Sequence, residues 1–255
     1  MASFRLPPVY RKDTGTRVTI RELLSHTSGI PNFITAPGFL DGPASRTKYS
    51  PRDFAEKYCS GDLEFDPGTK FNYSNSGYFL LGAVLEEVSG TTYEQLLNER
   101  IFTPLGMNDS GYAHNEAIIP HRAAGYERTG HGLQNARFYD MSIPFAAGAL
   151  YSTVGALSLW DQALYGQRLL PGHLRDLLFK PNLENYGFGW AILVPQPGSP
   201  NKGEIVFMHG GAIFGFQSVI ERIPLHKELI VLLDNTETPK LLEIALEIRR
   251  ALSVQ

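Results

Sequence analysis

The order in which two hydrophobic patterns follow each other along the chain most constrains its fold. Between residues 19 and 107, apolar side chains recur mainly at the spacing of helices. The clearest run comprises Phe79, Leu80, Ala83, Val84, Leu85 and Val88. From residue 186 onward, short β-rich runs separated by Pro, Gly or charged turns replace this pattern. Helices followed by strands, instead of an alternation of the two, predict an α+β fold.

The β-rich region predicts an antiparallel sheet with a helix against it. Its four runs cover residues 186–194, 204–209, 214–223 and 228–234. The tight connection Leu225-His226-Lys227 joins the last two runs, which we expect to form a hairpin. A C-terminal amphipathic helix can then cover one face of the sheet. Its apolar side consists of Leu241, Leu242, Ile244, Ala245, Ile248 and Leu252.

Local signals predict where several helices begin and end. Thr19 and Glu22 have the spacing of a capping box, in which each side chain satisfies a free amide of the first turn. Ser152 is expected to cap a later helix, and Gly90 to end the helix formed by the run above. Residues 32–49 are rich in Gly, Pro, Thr and Ser and therefore predict a long surface loop.

These patterns suggest three parts. Residues 1–18 form an irregular N-terminal segment without a periodic apolar face. Residues 19–180 are expected to form a mainly helical subdomain, interrupted by an irregular excursion at 108–148. Residues 181–255 are expected to form the antiparallel sheet with its C-terminal helix. We predict that the last two parts form one intertwined unit.

The composition excludes several classes of function. The 255 residues carry a net charge of −3 and are 19% charged, so no basic surface for nucleic acid is expected. No apolar run approaches the roughly 18 residues of a membrane span. The first ten residues lack the apolar core and cleavage site of a signal peptide. A cytoplasmic location is therefore the expectation for the sequence as written.

Cysteine and histidine usage predicts neither a disulfide nor a metal site. Cys59 is the only cysteine, so no internal disulfide can form. His114, His121 and His131 do not have metal-ligand spacing on a shared helix or hairpin. No bound metal and no cofactor are expected.

Two short segments contain the groups from which an acyl-transfer pocket could be built. Tyr73 and Asn75 lie two positions apart at the start of a helical run, and His209 precedes a pair of glycines in the β-rich region. A phenol, a carboxamide, an imidazole and a glycine-lined backbone suit that chemistry. Taken alone, Tyr73 and Asn75 would be a capped helix entry, and His209 would be a hydrogen-bonded strand histidine.

Eight segments in the same order resemble the serine β-lactamase-like hydrolases of the class C β-lactamase, D-alanyl-D-alanine carboxypeptidase and family VIII esterase type. They include penicillin-binding protein-like motifs. The matching segments are Ile20-Arg21-Glu22-Leu23-Leu24, Ser25-His26-Thr27-Ser28-Gly29, Pro67-Gly68-Thr69, Tyr73-Ser74-Asn75, Pro104-Leu105-Gly106-Met107, Ala147-Gly148-Ala149, Tyr186-Gly187-Phe188-Gly189-Trp190 and His209-Gly210-Gly211.

The resemblance implies a helical subdomain, an antiparallel sheet flanked by helices, and roles for individual residues. Tyr73 matches the tyrosine that shares proton transfer with a lysine, and Asn75 matches the substrate-binding amide. His209 stands where many relatives have the lysine of Lys-Thr-Gly. Gly210 and Gly211 would allow close backbone approach, and the Ala212 amide would donate to a developing oxyanion. The implied partner is a small-molecule or peptide acyl substrate.

The family's nucleophile, the serine of a Ser-x-x-Lys motif, has no clear counterpart. Two such strings occur, Ser45 to Lys48 and Ser199 to Lys202, and both lie in loops flanked by Pro or Gly. We therefore expect the N-terminal strands and the nucleophile helix of the family to be missing. Ser45 and Lys48 are the candidates for a displaced nucleophile and its base.

The sequence thus predicts a serine hydrolase that acts on esters, amides or β-lactams through an acyl-serine, in a truncated form that is inactive alone. One alternative is a non-catalytic binding protein that uses the same cleft, and another is an acyltransferase. A sheet without its N-terminal strands would have an open edge. This favours a homo-oligomer or association with a missing N-terminal complement.

Overall fold

The computed structural model describes residues 17–195 and 203–252 and divides into two compact units. The described parts of the first unit are residues 17–103, Gly111–Ile118 and Tyr139–Tyr151. Those of the second are Pro104–Ser110, Ile119–Phe138, and residues 152–195 and 203–252. Helices and antiparallel sheets are both present, which confirms the predicted α+β class.

Helices are the main regular elements of the first unit. They are α1 (Ile20–Leu24), α2 (Pro51–Tyr58), α3 (Asn75–Ser89) and α4 (Tyr93–Leu97), followed by a π-helical turn (Asn98–Phe102). The short helix α5 (Thr103–Leu105) begins at the last residue of the segment 17–103 and continues into the second unit. The capping box of Thr19 and Glu22 is present, with the Thr19 amide 2.6 Å from Glu22 Oε2. Gly90 ends α3 in the left-handed conformation, with φ 70°. Both signals were therefore interpreted correctly.

The predicted surface loop at residues 32–49 contributes to the core. It contains two 3-10 turns, Phe33–Thr35 and Pro43–Arg46. Phe33 and Phe39 are almost completely buried, and the Phe33 ring packs edge-on against Phe54 of α2 at 5.0 Å between centroids. The rest of the segment is mostly exposed or half-buried and has no long regular element, so it is a surface loop as predicted, with these two aromatic side chains packed into the core.

Helix α3 forms the centre of the first unit. Phe79 and Leu80 on its inner face have no exposed surface. Gly82 lets the helix approach the 3-10 turn Phe145–Ala147, because a Cβ atom there would lie 2.5 Å from the Phe145 ring. The excursion at 108–148 thus supplies core residues, and it also provides strand β1 (Gly111–Tyr112), which pairs with β4 (Leu150–Tyr151).

The second unit contains a four-stranded antiparallel sheet in the order β5-β6-β7-β8. Its strands are β5 (Ala191–Leu193), β6 (Val206–Ile213), β7 (Phe216–Ile223) and β8 (Glu228–Asp234). The predicted hairpin is confirmed, since β7 and β8 pair from Ile223 and Glu228 outward. Strand β5 is shorter than the predicted run at 186–194, because Gly189 has φ 78° and turns the backbone before Ala191.

The longer helices in the described part of the second unit are α6 (Val154–Ala163), α7 (Gly172–Leu178) and α8 (Leu241–Leu252). Val219 and Ile230 of the sheet pack against Ala245 of α8, as the amphipathic pattern predicted. Helix α6 packs on β8. The contacts therefore group α6 and α7 with the sheet, whereas the predicted boundary at residue 180 assigned both to the helical subdomain.

The cap of α6 corrects one sequence assignment. The Ala156 amide donates to Thr153 Oγ1 at 3.2 Å, so Thr153 caps the helix and Ser152 does not. The Ser152 hydroxyl instead lies 2.7 Å from the Ser110 hydroxyl. The residue at which the backbone enters the helix becomes the N-cap. Adjacent Ser and Thr residues give the same sequence signal, so the sequence does not distinguish between them.

A two-stranded hairpin in the second unit attaches the excursion to the sheet. It consists of β2 (Tyr126–Thr129) and β3 (Gly132–Asn135). The Asn235 side chain, just after β8, donates to the Ala124 carbonyl at 2.8 Å. Within residues 17–195 and 203–252, no helix has the length and apolar character required to cross a membrane.

Candidate active site

Tyr73 and Asn75 flank the N-terminus of α3, as the sequence predicted. Ser74 is the N-cap residue and has extended backbone angles, but its own side chain makes no capping hydrogen bond. Its amide donates to Nδ1 of His26 at 3.1 Å, and the Asn72 amide donates to the His26 carbonyl at 2.9 Å. The chain that leads into α3 is therefore held by backbone contacts with His26.

His26 is the residue of this site that sequence reasoning did not single out. Its ring is 2% exposed and lies 4.1 Å from the Tyr73 ring and 4.9 Å from the Tyr78 ring, centroid to centroid. Its backbone has φ 54°, in the left-handed region that few non-glycine residues adopt. The available signal was its place inside the family-like segment Ser25-His26-Thr27-Ser28-Gly29. His26 thus packs against the Tyr73 ring and accepts a hydrogen bond from the amide of the next residue.

The Tyr73 phenol is partly accessible, with 39% of the residue exposed. Burial raises the pKa of Tyr73 above the ordinary value of 10.0. The hydroxyl is therefore protonated at neutral pH. A phenol becomes an effective base only where a nearby cation favours the phenolate, so proton transfer by Tyr73 requires such a group at the site.

Asn32, at the start of the loop at residues 32–49, contacts the start of α3. The Asn75 amide and the Asn75 Nδ2 both donate to Asn32 Oδ1, at 3.3 and 3.4 Å. Asn32 Nδ2 in turn donates to the Tyr73 carbonyl at 3.4 Å. Next to this pair, the Phe33 amide donates to Ser76 Oγ at 3.0 Å. The start of α3 thus has a rigid attachment to residues 32 and 33.

In the second unit, His209 lies in the middle of β6. Its Nε2 atom is 3.0 Å from the Tyr186 hydroxyl. Burial lowers the pKa of His209 below its ordinary value of 6.5, so the imidazole is neutral at pH 7. The resemblance places His209 where many relatives have a lysine. A neutral imidazole can exchange hydrogen bonds there but does not supply the permanent positive charge of an ammonium group.

Gly210, Gly211 and Ala212 follow on the same strand and are exposed. They pair with Val219, Ser218 and Gln217 of β7. Pairing with β5 ends where Ala191 faces Met208, so among the described residues this part of β6 has a neighbouring strand on one side only. Alternate backbone groups of an antiparallel strand point to each side, so some of these amides and carbonyls can face a ligand.

A side chain is excluded at one of these glycines. A Cβ atom at Gly211 would lie 2.6 Å from Ser218 Oγ, whereas the nearest atom to a Cβ at Gly210 is the Ser218 carbonyl oxygen at 3.6 Å. The glycine at 211 therefore permits a close approach between β6 and the Ser218 side chain. The proposed oxyanion donation by the Ala212 amide stays a prediction.

Ser45 and Lys48 are both engaged elsewhere in the first unit. Ser45 is completely buried in the 3-10 turn Pro43–Arg46, and its hydroxyl faces the Leu40 and Gly42 carbonyls at 2.9 Å each. Lys48 is exposed and lies 2.7 Å from Glu116, whose hydrogen bond and charge raise the pKa of Lys48. The nucleophile role stays a prediction. Ser199 and Lys202 lie outside the described residues.

Potential metal ligands do not gather in the part of the chain that the structure describes. There, no group of three or more His, Cys, Asp or Glu residues has the arrangement of a metal site. His114 contacts Glu94 at 2.9 Å instead.

The fold is that of the β-lactamase/transpeptidase class, with helices and a flanked antiparallel sheet. The Beta-lactamase family profile matches residues 5–254, and the chain belongs to that family. The curated relative penicillin-binding protein 4* from Bacillus subtilis (strain 168) is 31% identical over 242 residues, which is 86% of this chain and 52% of the relative. The chain spans about half the length of the curated relatives it matches.

Two solved structures are similar over most of the chain. The D-stereospecific amidohydrolase from Streptomyces sp. has a TM-score of 0.77 at 26% identity, covering 91% of this chain and 72% of the other. The octameric penicillin-binding protein homologue from Pyrococcus abyssi has a TM-score of 0.75 at 28% identity, covering 94% and 57%. These likenesses confirm the resemblance inferred from the eight sequence segments.

Proposed function

We propose that this chain binds acyl compounds and takes part in their hydrolysis through an acyl-serine. The observation that carries the proposal is the rigid presentation of Tyr73 and Asn75 at the N-terminus of α3 in a chain of the Beta-lactamase family. In this proposal Tyr73 takes part in proton transfer and Asn75 contacts the substrate. For His209 and the glycines that follow it, the proposed role is contact with the acyl group.

The substrates we favour are amides of D-amino acids and short peptides that contain them. The similar amidohydrolase from Streptomyces is D-stereospecific, and the curated relatives include penicillin-binding proteins. The exposed backbone of Gly210, Gly211 and Ala212 supports this choice, because an extended peptide can align with an open strand. The Ala212 amide would then be one donor to the oxyanion.

A second candidate function is ligand binding without covalent chemistry. The burial of Ser45 favours it, since a nucleophile must reach the substrate carbonyl and this hydroxyl is enclosed by its own turn. The raised pKa of Tyr73 favours it as well, because the protonated phenol can donate a hydrogen bond but cannot remove a proton.

Covalent labelling separates the two functions. The intact mass would be measured after incubation with a fluorophosphonate and, separately, with a penicillin. One adduct per chain would support hydrolysis through an acyl-serine. Loss of the adduct in Ser45→Ala would identify Ser45 as the nucleophile, and retention would direct peptide mapping to another serine. Ser25→Ala is the matched control, because Ser25 is equally buried and also donates to a backbone carbonyl.

The absence of any adduct, with a folded circular-dichroism spectrum and measurable binding of a D-amino acid amide, would contradict hydrolysis by this chain. The non-catalytic function would then replace it.

We also propose that β8 pairs with a second copy of the chain. It is the last strand of the sheet within the described residues, and Leu233 on it is 46% exposed. The similar Pyrococcus abyssi homologue is octameric, which supports association. Sedimentation at increasing concentration tests this proposal, and a monomer throughout would exclude it.

A further inference from the structure

Tyr186 is held in place on both sides along the chain. Its amide donates to the Leu183 carbonyl at 3.1 Å, and its carbonyl accepts a hydrogen bond from the Asn182 amide at 3.0 Å. The next residue, Gly187, lies so close to Leu178 that a Cβ atom would be 2.6 Å from the Leu178 carbonyl oxygen. Tyr186 itself is 6% exposed. The backbone contacts and the burial together fix the position of the Tyr186 ring.

The Tyr186 hydroxyl contacts the imidazole of His209 on β6. The phenol oxygen is 3.0 Å from Nε2 of His209, and the two rings are inclined at 75° with their centroids 6.3 Å apart. The distance is that of a hydrogen bond. A phenol can donate or accept, and a neutral imidazole has one donor and one acceptor nitrogen. The direction of the bond therefore decides which nitrogen carries the proton.

A second contact of the imidazole indicates that direction. Burial lowers the pKa of His209, and a hydrogen bond to the Gly210 backbone opposes this decrease. A backbone group that favours the charged imidazole must be an acceptor, so the ring donates to the Gly210 carbonyl. The neutral ring has a single N–H and uses it there. The nitrogen beside Tyr186 therefore has the lone pair, and the Tyr186 hydroxyl donates to it.

The strands around His209 give the ring neutral surroundings. Ile220 lies opposite His209 on β7, and residues that are opposite each other in an antiparallel pair share a face of the sheet. On this face Arg222, two positions from Ile220, is the one charged residue of the four described strands. Arg222 is bound to Asp161 in a buried ion pair. No carboxylate of these strands therefore faces the imidazole to stabilise its charged form.

We propose that Tyr186 is a positioning residue for His209, whose imidazole it holds neutral by donating to Nε2. The single imidazole proton then lies on Nδ1. While this arrangement lasts, Nε2 cannot accept a proton from another group, and Nδ1 already carries one. His209 thus contributes hydrogen bonds to the site and does not act as a general base. This role rests on the proposed function, in which His209 contacts the acyl group, whereas the hydrogen bond from Tyr186 does not.

The tautomer can be measured without a ligand. In protein labelled with 15N-histidine, long-range proton–nitrogen correlation spectra distinguish a ring nitrogen that carries a proton from one that does not. The His209 signals would be assigned by their loss in His209→Gln. At neutral pH we expect the proton on Nδ1. In Tyr186→Phe, which keeps the ring, the ratio of the Nε2-protonated to the Nδ1-protonated form should rise about fivefold, the effect of one hydrogen bond. A wild-type proton on Nε2, or an unchanged ratio in Tyr186→Phe, would overturn the proposal.

Tyr112→Phe is the matched control for the loss of a buried hydroxyl. Tyr112 is 8% exposed, close to the value for Tyr186, and its hydroxyl donates to the Met141 carbonyl at 2.7 Å. This variant should leave the His209 tautomer unchanged. An equal change in both variants would show that the ratio reports a general loosening of the protein, and the role of Tyr186 would be overturned.

The absence of base catalysis by His209 is tested with the fluorophosphonate adduct. The rate of adduct formation would be compared in the wild type, His209→Gln and His209→Ala. The Gln side chain keeps a neutral donor and acceptor, so His209→Gln should slow the reaction by less than about tenfold, and His209→Ala should slow it more. A general base typically contributes about 10²–10⁴-fold. Equal losses of at least about 100-fold in both variants would therefore identify His209 as a base and contradict the proposal.

Failure of the proposed function gives a different result. If the wild type forms no adduct at all, hydrolysis through an acyl-serine is contradicted, and with it any role of His209 in that reaction. The tautomer measurement still decides whether Tyr186 orients the imidazole.

Discussion

The two regions that carry the predicted site residues are stabilised in different ways. At the start of α3, side chains are presented, and they are held by hydrogen bonds from His26 and Asn32 and by stacked rings. On β6 the exposed groups belong to the backbone of Gly210, Gly211 and Ala212, and the strand is held by its antiparallel pairing with β7. The first region should therefore be sensitive to the removal of a partner side chain, and the second to the addition of atoms.

The largest effect is expected for His26→Ala in the first region. This substitution removes a buried ring that contacts Tyr73 and Tyr78 and leaves the Ser74 amide without its acceptor. We expect the free energy of unfolding to fall by about 3 kcal/mol in urea denaturation. His131→Ala, at an exposed position, should change it by less than about 0.5 kcal/mol. Similar losses for both variants would remove the basis of the comparison.

An intermediate effect is expected for Gly211→Ala in the second region. The added methyl group would lie against Ser218 Oγ, and relieving this contact should cost about 1 to 2 kcal/mol of unfolding free energy. Combining it with Ser218→Ala should restore most of the loss, because the two sites are coupled. Gly210→Ala is the matched control and should be nearly neutral. A larger loss at Gly210 than at Gly211 would contradict the structure.

The smallest effect is expected in the pH dependence that His209 confers. Because burial lowers the pKa of His209, the unfolded chain takes up a proton at a higher pH than the folded protein does. The free energy of unfolding should therefore decrease as the pH falls below about 6.5, and His209→Gln should reduce this decrease. An NMR titration of the imidazole gives the direction directly, and a pKa above 6.5 would refute it.

The sequence predicted those parts of the fold whose signals are local. Thr19 and Glu22 cap a helix within four residues, Gly90 supplies the left-handed end of α3, and a four-residue connection joins β7 to β8. Local signals did not indicate tertiary packing. The burial of Phe33 within a polar surface loop, for example, could not be predicted from the sequence around it.

The site shows the same division between local and distant information. Tyr73, Asn75 and His209 could be proposed as site residues because they lie in short segments that match a family. His26 and Asn32 act on residues 48 and 43 positions away, and Tyr186 contacts His209 across 23 positions. No spacing rule within a single element connects these pairs, so only the folded structure identifies the partners.

The alternation of the two units along the chain has a consequence for protein synthesis. Asn235 holds the Ala124 carbonyl from 111 positions downstream, and residues of the first unit lie between them. At ordinary rates of translation, roughly 6 to 22 s pass between the synthesis of these two residues. During that time the β2–β3 hairpin has no completed sheet to join. A nascent chain on the ribosome is therefore exposed to chaperones and proteases at this hairpin, whereas α3 has its partners from the first unit once the turn Phe145–Ala147 has been made.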